Sequence, residues 1–156
     1  MKTLATILAA TTALTAPGLA NAAQVTLETK LRSYGGEDAY LAYYITDAQG
    51  NYVRHLWVAS GKTRWWDHLR NWYAATGGSS GEIAGLSGAS VGSGRTLTVT
   101  VDVEDALINA GYQIRMDAAV EHMPDSPAEI VVPLETGAAG QAVVGRGYVA
   151  SFTFDM

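Results

Sequence analysis

Hydrophobic and polar residues alternate along most of this chain, and a period of two predicts β-strands. Val25, Leu27, Thr29 and Leu31 fall on one side of a first strand. Six further segments have strand character: 40–46, 52–59, 97–103, 112–120, 129–134 and 148–154. Turn residues separate these segments. The pattern therefore predicts a mainly β protein, a single antiparallel immunoglobulin-like β-sandwich of about seven strands.

One segment, residues 63–76, has a helical period instead. Its large apolar side chains fall within an arc of roughly 120° on a helix; they are Trp65, Trp66, Leu69, Trp72 and Tyr73. We therefore predict one short aromatic helix that lies across the sandwich. The aromatic face is typical of core packing, and Trp65 and Trp66 could also form a stacking wall for a planar cofactor.

Residues 77–94 form a segment rich in Gly, Ser and Ala that follows the predicted helix. A structureless stretch of this length in a compact domain is usually functional or disordered. Within it, Ser90 is flanked by small residues, so that its hydroxyl group is reachable. Its surroundings also suit an ordinary flexible loop.

The N-terminus has the features of a secretory signal peptide over residues 1–22. Lys2 precedes an apolar run at 4–14, and Ala20-Asn21-Ala22 is a small-residue cleavage site. The mature protein would then be one domain, residues 23–156. The apolar run is too short to span a bilayer, which predicts no stable membrane insertion.

Charge and cysteine content narrow the function classes. The whole chain carries 10 basic and 15 acidic residues, and removal of Lys2 makes its net charge of −5 more negative by one. An acidic surface argues against nucleic acid as a partner. The chain has no Cys, which excludes disulfides and cysteine-held iron–sulfur clusters.

The remaining chemistry-bearing residues give no local catalytic or metal motif. His55, His68 and His122 are far apart in sequence, so no metal site is predicted. His122 or His68 could still serve a haem or a metal ion, and this alternative stays open. Ser87 and Ser90 lack the nucleophile elbow of a hydrolase.

Four segments together resemble a periplasmic family called domain of unknown function 2271. They are an opening hairpin at 40–54, the aromatic segment at 65–73, the loop at 85–90 and a late strand at 110–122. The resemblance covers most of the mature chain and implies a periplasmic location.

The loop also resembles the motif that periplasmic flavin transferases recognise: Asp, two variable residues, Ser or Thr, Gly, Ala, then Thr or Ser. This resemblance implies that Ser90 accepts FMN from FAD through a phosphoester bond, with Ser87, Gly88 and Ala89 as the recognition core. Ala84 stands where the motif has Asp. Glu82 lies two residues earlier and is not an equivalent replacement.

The resemblance implies an electron-transfer module with covalent FMN, a redox carrier rather than a complete enzyme. Trp65 and Trp66 would lie beside the flavin. Its implied partners are a periplasmic flavin transferase and a PepSY-type membrane reductase engaged in iron-chelate reduction. The alternative is a cofactor-free binding or interaction module that uses a sandwich edge or its Trp and Tyr surface.

Overall fold

The computed structural model describes residues 21–156, which contain eight β-strands and two short α-helices. The strands are β1 Ala22–Leu31, β2 Ala39–Thr46, β3 Tyr52–Ala59, β4 Ser87–Gly88, β5 Thr96–Glu104, β6 Gln113–Val120, β7 Ser126–Pro133 and β8 Val149–Asp155. The helices are α1 Arg70–Thr76 and α2 Ser80–Ile83, and 3-10 turns occupy Thr63–His68 and Asp105–Leu107. The signal peptide predicted for 1–22 lies outside the described residues, except for its last two positions.

The strands form two sheets that face each other. One sheet has the order β5-β1-β8, and the other has the order β4-β3-β2-β6-β7. All pairs are antiparallel except β3 with β4. Inward-facing side chains from both sheets, such as Leu27, Tyr43 and Phe152, share one core. The predicted mainly β sandwich is confirmed, with β4 as a short strand that the sequence pattern missed.

The second sheet is covered on its outer face by a helical layer. Strand β2 is therefore buried on both sides: Tyr43 faces the core between the sheets, whereas Tyr44 belongs to the cluster beneath the helices. Leu69 and Trp72 anchor this layer and are fully buried. Burial of one large apolar side chain contributes about 1.5–3 kcal/mol, so these residues dock the segment firmly.

The single helix expected over 63–76 is divided in two, and this part of the prediction is corrected. Leu69, with φ −83° and ψ 72°, separates the 3-10 turn from α1. In a continuous helix the Trp72 amide would donate to the carbonyl of His68, but it donates to Asp117 Oδ2 at 2.8 Å. Asp117 on β6 thus acts as an N-terminal cap from another element.

Asp117 is completely buried and accepts three hydrogen bonds. Besides the Trp72 amide, its donors are the Tyr44 hydroxyl at 2.9 Å and the Ala128 amide at 2.9 Å. A buried carboxylate is costly unless it is fully hydrogen-bonded, and this one meets that condition. Its hydrogen bonds therefore connect β2, β7 and α1 to the same side chain of β6.

Candidate functional site

The segment predicted as a free Gly/Ser loop, 77–94, is held at several points. The Leu86 carbonyl accepts from His55 Nε2 at 2.8 Å and from the Val58 amide at 3.1 Å. The Ser60 amide donates to the Gly88 carbonyl at 2.9 Å. These bonds add β4 to the edge of β3, so the expectation of a flexible loop is corrected here.

A second fixed point follows Ser90. The Ala39 amide donates to the Val91 carbonyl at 2.7 Å, and the Val91 amide returns a bond to the Ala39 carbonyl at 2.9 Å. Both residues are buried. Ala89 and Ser90 thus form a short bridge between Gly88 and Val91. Ser90 is partly exposed at this bridge, and the chain on each side of it is anchored.

The residues of the predicted recognition core differ in their surroundings. Ser87 and Ala89 are exposed, whereas Gly88 lies against the ring of Trp57. A Cβ atom on Gly88 would lie 2.7 Å from Trp57 Cζ2, closer than side chains approach. Glycine is required at this position because the backbone passes so near the indole.

The carboxylate nearest the Ser90 hydroxyl comes from an unexpected place. Ser90 Oγ donates to Asp38 Oδ2 at 3.2 Å. Ala84, the position at which the motif has Asp, ends α2 in a left-handed conformation with φ 48° and is exposed. Glu82 accepts a hydrogen bond from the Tyr52 hydroxyl, so its carboxylate is already engaged.

Ser90 and Asp38 open onto a cleft of about 240 Å³. The other residues of this cleft are Glu37, Tyr40, Gly61, Lys62 and Glu121. Glu121 accepts a hydrogen bond from the Tyr40 hydroxyl and forms an ion pair with Lys62, Nζ to Oε1 3.1 Å. The Tyr40 hydrogen bond, with a further contribution from Lys62, holds the pKa of Glu121 below its usual value.

A larger cavity of about 440 Å³ adjoins the cleft, because Tyr40 and Glu121 line both. Its other walls are Trp65, His68 and Arg70 together with residues 119, 120 and 122–125. This volume falls in the range of about 300–1,000 Å³ that is typical of small-molecule sites. Burial, reinforced by Glu121, raises the pKa of Tyr40 above its ordinary value.

The two predicted cofactor-binding tryptophans occupy different positions. The Trp65 ring lies between His68 and His122, with centroid separations of 5.4 and 6.5 Å, on the cavity wall. Trp66 packs edge-on against Trp72 at 5.4 Å and, among the described residues, lines neither the cavity nor the cleft. The structure therefore brings only Trp65 towards the cleft that holds Ser90.

Asp125 fixes the polar side of the cavity. It bonds His68 Nδ1 at 2.9 Å and Arg70 Nε at 2.7 Å. This pairing orients the imidazole and neutralises part of the local positive charge. No sequence signal singles out Asp125, Asp38, Lys62 or Glu121 as site residues, because each is an isolated charge outside any recognisable motif.

The third histidine has a structural role. His55 is buried, and its ring nitrogens contact the Leu86 carbonyl and Trp72 Nε1, the latter at 3.0 Å. Burial lowers the pKa of His55, which favours the neutral ring. Within residues 21–156, no group of three or more His, Cys, Asp or Glu side chains is placed to hold a metal ion.

Family comparison gives one finding. The model of the family described as predicted periplasmic protein (DUF2271) matches residues 22–151. The chain belongs to this family. The predicted resemblance is thus confirmed, and the periplasmic location is the one that the family description gives. No curated protein and no solved structure matches this DUF2271 chain significantly. In the part of the chain that the structure describes, no helix is long and apolar enough to cross a membrane.

Proposed function

We propose that this DUF2271 protein is a periplasmic electron carrier with FMN covalently attached to Ser90 through a phosphoester bond. The observation that supports it best is the position of Ser90. Its partly exposed hydroxyl opens onto a cleft that adjoins a 440 Å³ cavity walled by Trp65. An anchor, a space and an aromatic wall are the three elements that a tethered planar cofactor needs.

The residues of both spaces suit a flavin. Lys62, which is paired with Glu121, is the cation that lines the cleft beside Ser90, where the phosphodiester charge would lie. Trp65 offers an indole ring, and Val120 and Met123 add apolar surface to the cavity. His68 and Arg70 add hydrogen-bond donors. When bound, FMN supplies one- and two-electron transfer, while the protein holds and shields its ring.

A carrier needs a donor and an acceptor for its electrons. The resemblance suggests a PepSY-type membrane reductase as the partner and ferric chelates as the electron acceptors. We include both in the proposal. Partial exposure of Trp65 and His68 on the cavity wall supports it, because a ring beside them would be partly accessible and could exchange electrons with other molecules. The test is oxidation of the reduced, flavin-loaded protein by a ferric chelate; a rate equal to that of the chelate-free control would contradict this part.

Attachment itself is tested by coexpression with an active periplasmic flavin transferase. We expect the intact mass of the exported protein to increase by one FMN minus water, with flavin absorbance in the visible spectrum. Ser90→Ala should abolish both signals. The matched control is Ser80→Ala, which changes an exposed serine of the same segment outside the motif.

An unmodified wild-type protein, produced with a transferase that modifies another substrate in the same cells, would refute attachment at Ser90. The absorbance spectrum also separates the alternatives. A colourless protein that captures a partner would favour a cofactor-free interaction module. A Soret band that is lost in His122→Ala would favour haem binding.

A further inference from the structure

The geometry points to Asp38 as the proton acceptor for Ser90 during flavin attachment. This inference rests on the proposed function. It begins with the contact between the two side chains, in which Ser90 Oγ donates to Asp38 Oδ2 at 3.2 Å. A serine hydroxyl is a weak nucleophile and is activated by an adjacent base.

The backbone holds this pair together. Asp38 precedes Ala39 and Ser90 precedes Val91, and the paired amides and carbonyls of Ala39 and Val91 bond the two segments. Gly92 lies beside this pair, and a Cβ atom there would be at an ordinary contact distance of 3.6 Å from Asp38 Oδ1. The proximity thus follows from main-chain pairing as well as from side-chain rotamers.

Two other carboxylates of this region, Glu121 and Glu82, already have partners. Glu121 accepts from the Tyr40 hydroxyl and pairs with Lys62. Glu82 accepts from the Tyr52 hydroxyl. Among the described residues, Asp38 is the carboxylate that hydrogen-bonds the Ser90 hydroxyl.

The step balances as a transfer between oxygens. Ser90 Oγ forms a bond to the phosphorus of the FMN half of FAD, and the bond from that phosphorus to the bridging oxygen breaks. AMP leaves with the bridging oxygen. The Ser90 proton passes to Asp38, and nothing is oxidised or reduced. The flavin transferase provides FAD and the rest of the active site.

The experiment measures flavin attachment with purified protein, flavin transferase and FAD, by intact mass over time. For Asp38→Asn we expect kcat to fall by at least about tenfold with KM little changed, because a positioned base contributes about 10²–10⁴-fold. Asp38→Glu should recover part of the rate. Asp102→Asn is the matched control, because Asp102 is an exposed carboxylate on β5 that does not line the cleft.

Three results would overturn the inference. If Asp38→Asn is modified within about twofold of the wild-type rate, Asp38 is not the proton acceptor, although attachment at Ser90 stands. If Asp38→Asn raises KM alone, Asp38 serves recognition instead. If an active transferase leaves the wild-type protein unmodified, both the proposed function and this inference are wrong. Asp38→Ala provides a second variant should Asp38→Asn fold poorly.

Discussion

Gly88→Ala tests whether the motif glycine has a structural role of its own. The added Cβ atom would lie 2.7 Å from Trp57 Cζ2 and 3.5 Å from Cε2. Ordinary contacts begin near 3.4 Å, so the ring or the strand must move by about 0.7 Å. Trp57 packs against the main core, and the Gly88 carbonyl accepts from the Ser60 amide at 2.9 Å, so neither moves freely. Overpacking of this kind costs about 1–3 kcal/mol.

The assay is urea unfolding followed by tryptophan fluorescence, together with the near-ultraviolet circular dichroism of the native protein. We expect Gly88→Ala to lower the free energy of unfolding by about 1–3 kcal/mol and to change the tryptophan signal. Gly61→Ala is the control, because a Cβ atom there meets nothing within 4 Å; its effect should stay within about 0.5 kcal/mol. Equal stability of the two variants, with an unchanged native spectrum, would refute the steric argument.

Three further predictions concern the interior and the motif. Asp117→Asn should lower the free energy of unfolding by about 2–5 kcal/mol, because the new side-chain amide would face the buried Trp72 amide, which is also a donor. Urea unfolding measures the loss, with Asp102→Asn at an exposed position as the control. Burial lowers the pKa of His55, so below its ordinary value of 6.5 the unfolded chain binds a proton that the native state does not. Stability should therefore fall as the pH drops below 6.5, with a steeper dependence of Tm on pH than in His55→Gln, and equal slopes would contradict this. Ala84→Asp should increase the rate of flavin attachment measured by intact mass, because Asp tolerates the left-handed conformation and restores the motif; an unchanged rate would show that residue 84 is not recognised.

Much of the fold could be predicted because strand geometry imposes a period of two on the sequence. The segments at 97–103 and 112–120 each contain most of one observed strand. Strand β4 could not be predicted, since two residues carry no period and its pairing depends on β3. The break in the helix at Leu69 could not be predicted from the sequence either, because it depends on a hydrogen bond to Asp117 on β6.

The site was only partly predictable for a related reason. Ser90 was singled out through a contiguous motif, which sequence alone can display. Asp38 and Glu121 reach the cleft from distant turns, and no spacing links them to Ser90. Trp65 and Trp66 share one predicted helical arc. In the 3-10 turn, however, the Trp65 ring lines the cavity, whereas the Trp66 ring packs against Trp72.

That difference between the two tryptophans gives a direct test of where a flavin on Ser90 would lie. Because the chain is fixed on both sides of Ser90, the attachment point has little freedom, and the walls of the cavity decide the position of the ring. Indole stacking quenches flavin fluorescence, so Trp65→Leu in the flavin-loaded protein should raise the emission. Trp66→Leu is the matched control: it removes packing against Trp72 and should lower stability while leaving the emission unchanged. A rise with Trp66→Leu and none with Trp65→Leu would place the ring outside the 440 Å³ cavity.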